Sequence, residues 1–258
     1  MAAGGRFEVR LTRDAADIAA AQALRYRVFY REMGARANAA IEAMGRDQDE
    51  FDPVCDHLLV FDHARAAGDT VVGTYRLLLQ REAERFGRFY SAAEYDIQPL
   101  LDHVGEAKSL MELGRSCVHA DYRTSTTIRL LWRGIARYIF DNGISHLFGC
   151  ASLHGCDPDQ HRDVLTYLHR HHMVPPHLHV RALPERHVAM DRLAGGEPDQ
   201  RAVFRQMPPL IKAYLRLGCY IGDGAVIDAD FNTIDVFILL PVERIDQKYY
   251  SLHDGQVE

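Results

Sequence analysis

The chain has 258 residues, of which 47% are hydrophobic and 26% charged, and its formal net charge is −6 at pH 7. This balance predicts a soluble globular protein with a substantial buried core. The negative charge argues against non-specific binding to nucleic acid, which depends on excess Lys and Arg. Five cysteines without a CxxC pair favour a reducing cytoplasm over a disulfide framework. Neither a signal peptide nor an apolar run of roughly 18 residues is present, so we expect a cytoplasmic protein.

Apolar periodicity predicts strands and helices in a simple order along the chain. Alternating apolar residues predict a strand at 6–12, and Asp14 caps a helix that runs to about Met33. Further strands are expected at 57–61, 70–79, 110–118, 145–153, 219–227 and 234–241, and a weaker one at 177–183. Helices are expected at 126–142, in the His-rich segment, and at 208–218. This order predicts an α+β (α/β-like) fold in one domain, 1–258, with helices on both faces of a sheet and a His-rich insertion around 154–200.

Four short motifs lie in the first half of the chain: LRYRVFYREM, DEFD, VVGTYRLL and MELGRSCV. Their order resembles the N-terminal half of acyl-homoserine-lactone synthases. That family shares an Arg–x3–Phe on the first helix, an Asp–x2–Asp loop, an Arg on the third strand and a Glu–x2–Arg on the fourth. The positions that match here are Arg25, Phe29, Asp49, Asp52, Arg76, Glu112 and Arg115. One departure is that Met33 or Gly34 stands where the family tends to carry a tryptophan.

The second half is similar to the ornithine N-acyltransferases that make lyso-ornithine lipid. The similar segments are LGRSCVHADYRTSTTIRLLWRGIARY, LFGCASLHG, KAYLRLG and ADFNTIDVFILL, and the resemblance runs from about residue 7 to 245. It implies a GNAT-type fold with a mixed, mostly antiparallel central sheet. It also implies transfer of a (3-hydroxy)acyl group from acyl carrier protein to the α-amine of L-ornithine, the first step of ornithine lipid synthesis. The acyl thioester is then a co-substrate, no cofactor is expected, and peripheral contact with the inner membrane is left open.

Three other functions stay open at this point. Two belong to the same chemistry: an N-acyl amino acid synthase for another acceptor such as glycine, and a homoserine-lactone synthase that uses S-adenosylmethionine. The third is a GNAT-shaped protein that binds acyl chains or lipid without catalysis. The combination of Glu112, Arg115 and Arg76 favours an enzyme, because a protein that only binds has no need of a base beside a bulge.

Acylation of an amine requires that a proton is removed and that the thioester carbonyl is polarised. Glu112 is the predicted base, since it stands mid-strand beside Gly114, where a bulge would free a backbone N–H for the oxyanion. The alternative is a structural ion pair between Glu112 and Arg115 or Arg76. These two arginines stand on strands predicted to be neighbours, and charge-assisted bonds would let them hold the substrate carboxylate.

The resemblance places four more residues in the substrate-binding set: Arg25, Phe29, Asp49 and Asp52. For the arginines, the alternative is that Arg76 and Arg115 brace the acidic loop at Asp49 and Asp52. Ornithine also carries a δ-ammonium group, which requires a carboxylate near the acceptor. The candidates for that carboxylate are Asp230 and Asp235, which otherwise cap a turn.

The segment before helix 126–142 occupies the place where GNAT enzymes bind the phosphate of the donor. Helix N-termini attract anions because their first N–H groups are unsatisfied. The predicted donor-binding residues are Val118, Arg123, Thr124, Ser125, Thr126 and Thr127. A loop rich in hydroxyl groups instead of glycine favours the single phosphate of a carrier protein over the diphosphate of CoA, and the alternative is a Ser/Thr-capped helix.

Arginines recur on the same helix at positions 129, 133 and 137, a spacing that aligns them on one side. We expect Arg129 and Arg133 to steer an acidic carrier protein towards the donor loop, with a solvated helix face as the alternative. The histidine-rich segment, with His169, His171 and His172, shows no familiar zinc spacing and predicts a surface helix, so no metal is expected.

Overall fold

The computed structural model describes residues 5–105 and 109–245, so both ends of the predicted domain 1–258 lie outside the described residues. The chain divides into two compact units. Within the described residues, unit 1 comprises 5–88 and 111–143, and unit 2 comprises 89–105, 109–110 and 144–245. The organisation as one domain stays a prediction, and each unit is described by itself.

The strands, in chain order, are β1 (Phe7–Thr12), β2 (Asp56–Asp62), β3 (Val71–Leu79), β4 (Tyr95–Asp96), β5 (Ser109–Val118), β6 (Ile144–His154), β7 (Arg181–Ala182), β8 (His187–Val188), β9 (Tyr220–Asp228) and β10 (Thr233–Pro241). The helices are α1 (Ala15–Tyr26), α2 (Ala39–Met44), α3 (Gln80–Phe86), α4 (Gln98–Val104), α5 (Ser125–Asn142), α6 (Arg162–His172), α7 (Gln200–Gln206) and α8 (Pro209–Arg216). Within the described residues no helix has the length and apolarity to cross a membrane.

In unit 1, β1, β2, β3 and β5 pair in that order, and every pairing is antiparallel. Leu59 and Phe61 of β2 pack in a buried cluster with Leu24 of α1. Gly134 of α5 lies against Leu58, and a Cβ at this glycine would come within 2.7 Å of the leucine side chain. Because neighbouring residues of a strand point to opposite faces, α1 and α5 cover opposite faces of these strands. The prediction of helices on both faces is confirmed for this unit.

In unit 2 the strand order is β6, β10, β9, β7 and β4, and β8 also pairs with β9. The pairing of β7 with β9 is parallel, whereas β6–β10, β10–β9, β8–β9 and β4–β7 are antiparallel. Every residue of β10 is buried between its two neighbours, β6 and β9, which explains the apolar run from Val236 to Leu240. The predicted fold class, mixed α and β with a mostly antiparallel sheet, is confirmed.

Two stretches differ from the sequence expectation. The helix predicted to reach Met33 is α-helical only to Tyr26, and it continues as a π-helical segment, Arg27–Glu32. The strand expected at 177–183 is a short 3₁₀ turn, Pro176–Leu178, followed by the two residues of β7. Helix α7 was not expected, because the polar stretch before it and the prolines after it made the region resemble a linker.

Candidate active site

The acidic loop between α2 and β2 brings three aspartates against three arginines in unit 1. Arg25 bonds to Asp47 at 2.7 Å and to Asp52 at 3.0 Å. Arg76 bonds to Asp49 at 2.5 Å and to Asp52 at 3.2 Å.

Arg115 closes the set, with 3.2 Å to Asp47 and 3.0 Å to Asp49. Each arginine therefore bridges two aspartates, and each aspartate bridges two arginines. We call this closed set of six alternating charges the charge ring: Arg25, Asp52, Arg76, Asp49, Arg115 and Asp47.

Most of the charge ring is removed from solvent. The side chain of Arg25 is fully buried and that of Arg76 is 3% exposed, whereas Asp49 is the most accessible member at 22%. Burial alone would raise the pKa of Asp52, but the charges and hydrogen bonds of Arg25 and Arg76 outweigh it and hold that pKa well below its ordinary value. The pKa of Asp49 is also lowered, since Arg76 and Arg115 outweigh its burial.

The ring answers a question that the sequence left open. Arg76 and Arg115 do lie on neighbouring strands, with Arg76 opposite Gly114 in the β3–β5 ladder. Their guanidinium groups brace the acidic loop, which was one of the two interpretations of these residues. Both arginines share Asp49, the ring member that solvent reaches most easily.

A β-bulge interrupts β5 beside the ring. Thr74 pairs with Cys117 and Arg76 with Gly114, so Arg115 and Ser116 together lie opposite the single residue Tyr75. Arg115 adopts a positive φ of 49°, which is uncommon for a residue with a side chain. The bulge is thus one residue beyond Gly114, and it turns the Arg115 side chain towards the aspartates while leaving a residue outside the ladder.

Glu112, the predicted base, stands two residues before Gly114 on β5, opposite Leu78 of β3. Its side chain is buried, with 3% of the residue exposed. Glu112 affects the thiol of Cys55 electrostatically. Burial raises the pKa of this thiol to about 12. The charge of Arg76 lowers that pKa, and the charge of Glu112 raises it. A buried carboxylate therefore lies in the electrostatic surroundings of the charge ring.

Phe29 follows Arg25 by one helical turn and belongs to the π-helical segment. It is half-buried and packs against the hydrophobic cluster of unit 1. The predicted Arg25–Phe29 pair therefore has two different surroundings, because Arg25 enters the charge ring and Phe29 faces apolar side chains.

The predicted donor loop is only partly exposed. Arg123 donates from Nε to the Val118 carbonyl at 3.2 Å and pairs with Glu32. Thr124 is the N-cap of α5 without a side-chain capping bond, and Ser125 is exposed beside it.

Thr127, by contrast, is 1% exposed, and its methyl group packs on Gly73 of β3. We therefore withdraw Thr127 from the donor-binding set and keep Val118, Arg123, Thr124, Ser125 and Thr126.

Arg129 and Arg133 are exposed on the outer side of α5. Neither side chain has a hydrogen bond or ion pair to any residue within 5–105 or 109–245. Arg137 continues the stripe but pairs with Asp141 at 2.7 Å. Two positive charges are thus left without a carboxylate on this helix.

The two aspartates proposed to bind the δ-ammonium differ in their exposure to solvent. Asp230 is exposed in the turn between β9 and β10, where its N–H bonds to Asp228 at 2.9 Å. It is part of a turn, as the alternative stated, and we withdraw it as a substrate residue. Asp235 is 8% exposed on β10.

A second carboxylate, which the sequence did not predict, lies beside Asp235. A carboxylate oxygen of Glu94, a carboxylate oxygen of Asp235 and the Sγ atom of Cys150 all lie within 4.8 Å of one another in unit 2. Glu94 is 6% exposed, and Arg186 pairs with it at 3.3 Å. Burial and the charge of Asp235 raise the pKa of Glu94 to about 7, although Arg186 opposes the rise. No local pattern marks Glu94, since it is brought to Asp235 by the pairing of distant strands. We call Glu94, Cys150 and Asp235 the acidic cluster.

Comparison with known families agrees with this architecture. A family model described as an acetyltransferase (GNAT) domain matches residues 24–133. An L-ornithine N(alpha)-acyltransferase of Brucella abortus is 47% identical over 98% of this chain and 90% of its own length. Proteins of the same name from Rhizobium meliloti and Rhodobacter capsulatus are 46% and 43% identical, over 95% and 98% of this chain and 83% and 96% of their own lengths.

Solved structures with low sequence identity share the fold. FeeM, an N-acyl amino acid synthase from uncultured soil microbes, superimposes with a TM-score of 0.50 at 12% identity, over 98% of this chain and 99% of its own. The acyl-homoserine-lactone synthase LasI gives a TM-score of 0.50 at 15% identity, over 99% of both chains. The chain is thus an acyltransferase, and the non-catalytic alternative is set aside.

Proposed function

Because the chain belongs to the L-ornithine N(alpha)-acyltransferase family, we propose that it acylates the α-amine of L-ornithine. The donor is a (3-hydroxy)acyl thioester of acyl carrier protein, and the reaction is the first step of ornithine lipid synthesis. The observation that supports this proposal most strongly is the 43–47% identity over nearly the full chain to relatives of that name.

The proposed chemistry begins at Glu112. Its carboxylate takes a proton from the α-ammonium of the acceptor, directly or through a water, so that the neutral amine attacks the thioester carbonyl. The amine adds to the carbonyl carbon and forms the C–N bond and an oxyanion; as the oxyanion collapses, the C–S bond breaks, a second proton from the nitrogen passes to the sulfur, and the carrier leaves as its thiol. The bulge at Arg115 and Ser116 supplies a backbone N–H outside the ladder, which is the type of donor that stabilises an oxyanion.

The charge ring prepares this site for a polar substrate. Its three positive and three negative charges cancel, so the loop is held rigidly without a net charge near the acceptor. The substrate carboxylate would replace Asp49 on Arg76 and Arg115, since Asp49 is the accessible member. Phe29 provides apolar surface one helical turn from Arg25.

Replacement of Glu112 tests the mechanism. Glu112→Gln keeps the shape of the side chain but cannot accept the proton, so turnover should fall roughly 10²-fold or more, the scale of general-base effects. The KM for acyl-carrier protein should barely change. Glu42→Gln is the matched control, because Glu42 is an exposed carboxylate of the same unit, and the melting temperature of both variants checks their folding. Turnover of Glu112→Gln within a factor of three of wild type would remove Glu112 from the mechanism.

Acceptor choice tests the substrate. Asp235 remains the proposed partner of the δ-ammonium. An acceptor that lacks this group leaves the buried carboxylate without a counter-charge, so the enzyme should prefer ornithine by a factor of up to about 10⁴. Ornithine should therefore outcompete norvaline, which has the same length and no side-chain amine. Asp235→Asn should reduce the preference for ornithine over norvaline. Equal rates for the two acceptors would exclude ornithine as the specific substrate while leaving N-acylation in place.

The carrier is proposed to dock on α5. Thr124, Ser125 and Thr126 surround the start of the helix, where the phosphate of the pantetheine arm would meet unsatisfied N–H groups. Arg129 and Arg133 follow on the same helix; they are exposed, no carboxylate among residues 5–105 and 109–245 pairs with them, and their charge complements an acidic protein. Reversal of both arginines to Glu should raise the KM for acyl-carrier protein several-fold and leave the KM for a short acyl-pantetheine donor unchanged.

A further inference from the structure

A basic stretch in unit 2 has no role in the site described above. Residues 200–222 contain four cations and no acidic residue, in a chain whose net charge is −6. The nearest acids are Asp199, which caps α7, and Asp223 at the other end. We call residues 200–222 the acid-free segment, and its cations are Arg201, Arg205, Lys212 and Arg216.

Helices α7 and α8 bury apolar residues of the acid-free segment and leave its arginines exposed. Val203, Met207 and Ile211 are at most 1% exposed and anchor the segment to the core of unit 2. Arg201 and Arg205 are spaced i, i+4 on α7, and Lys212 and Arg216 have the same spacing on α8. Residues at this spacing share one side of a helix, so each helix presents a pair of cations. The three arginines are exposed, and Lys212 is half-buried.

None of the four side chains is neutralised within the part of the chain that the structure describes. No hydrogen bond or ion pair joins any of them to another described residue. Many other arginines of the chain are paired, for example Arg170 with Asp191, and Arg192 with Asp159, in the same unit. Unpaired cations on two successive helices therefore create a local positive field, which attracts an anionic partner.

We infer that the acid-free segment docks the enzyme on an anionic bilayer surface. An acidic protein would also complement the charge, but two observations favour a membrane. Half-buried apolar side chains lie among the cations, at Phe204, Leu210 and Leu215, and such a mixture suits the headgroup region. The product proposed above, on which this choice of partner rests, is an amino acid with one long hydrocarbon chain, and such a molecule partitions into a bilayer interface.

Co-sedimentation of the full-length protein with vesicles tests this inference. The vesicles are phosphatidylcholine alone, or phosphatidylcholine with about one third phosphatidylglycerol as the anionic lipid. Wild type should sediment with the anionic vesicles at low salt, should dissociate as salt is added, and should not sediment with the neutral vesicles. The variant with Arg201→Gln, Arg205→Gln, Lys212→Gln and Arg216→Gln should lose vesicle affinity by roughly 600-fold, since each of the four cations near such a surface contributes a factor of about five.

A matched variant, Arg129→Gln with Arg133→Gln, removes two exposed arginines from α5 and should keep its vesicle affinity. The fourfold variant should retain wild-type turnover and KM with soluble acyl-carrier protein, which also shows that it is folded. The inference is overturned by a fourfold variant that still binds anionic vesicles, by equal binding of wild type to both vesicle types, or by a raised KM for the carrier, which would assign the segment to a protein partner. Vesicle binding needs no turnover, so a failure to acylate ornithine would break the proposed function alone.

Discussion

The charge ring of unit 1 and the acidic cluster of unit 2 shift the pKa values of their buried carboxyl groups in opposite directions. In the ring, three guanidinium groups alternate with three carboxylates, and the pKa values of Asp49 and Asp52 lie below their ordinary values. In the cluster, Arg186 pairs with Glu94 while Asp235 lies beside it, and the pKa of Glu94 rises to about 7. The number of opposite charges within reach, more than the depth of burial, determines the direction of each shift.

This difference assigns different tasks to the two regions. A balanced ring fixes the geometry of a loop, and the lowered pKa values of Asp49 and Asp52 favour their ionised forms. Two buried carboxylates that raise each other's pKa carry a cost, and for Glu94 a proton or a positively charged ligand relieves it. Breaking the ring should therefore destabilise the protein, whereas neutralising the cluster should stabilise it.

The largest effect is expected at Arg25, the fully buried member of the ring. Arg25→Gln leaves Asp47 and Asp52 each with one guanidinium instead of two, and breaking a buried pair in this way costs about 3–5 kcal/mol. The free energy of unfolding, from urea titration at neutral pH, measures this loss. Arg31→Gln is the control, because the Arg31–Glu42 pair is more than half exposed and should contribute at most about 1 kcal/mol. Equal losses for the two variants would contradict a structural role for the ring.

Substitution of Glu94 should increase the free energy of unfolding, whereas substitution of Arg25 should decrease it. A carboxyl whose folded-state pKa is raised binds its proton more tightly when folded, so stability falls as pH rises from 4.5, the ordinary value, to about 7. Glu94→Gln stays neutral and avoids this loss. It should match wild type near pH 4.5 and exceed its unfolding free energy by about 3 kcal/mol above pH 7, the equivalent of the pKa rise. A variant that is less stable than wild type at high pH would show that Arg186 already compensates the ionised form.

The smallest effect is expected at Asp49, which solvent reaches most easily. Asp49→Asn should cost about 1–2 kcal/mol, because Arg76 and Arg115 each retain another aspartate. Its folded pKa is depressed, so its contribution is complete above the ordinary value of 3.8 and is lost only as pH falls through the lower folded pKa. The difference from wild type should stay constant between about pH 5 and 8, unlike that of Glu94→Gln. A slope in that range would indicate that the ring does not hold Asp49 ionised.

Part of the site could be predicted from sequence. The resemblance to acyl-homoserine-lactone synthases named Arg25, Asp49, Asp52, Arg76, Glu112 and Arg115, and five of them meet in one ring. The resemblance did not include Asp47, because nothing distinguishes this first aspartate of the DQDEFD stretch from an ordinary loop residue. It also could not show that the two strand arginines bind the loop, since that depends on where β5 bulges. Glu94 was missed for a related reason, because 141 positions of chain separate it from Asp235.

Local pattern by itself determined the longer strands, β1, β2, β3, β5, β6, β9 and β10, together with the long helix α5 and the presence of a bulge near Gly114. These features depend on periodicity and on residues with special backbone freedom, which are properties of a few neighbouring positions. Tertiary structure alone decided the partners of the charged side chains: which aspartate meets which arginine, which threonine turns inward at Thr127, and which cations stay unpaired on α7 and α8. Pairing energies fall steeply with distance and depend on desolvation, so they are fixed only when strands and helices bring distant residues into contact.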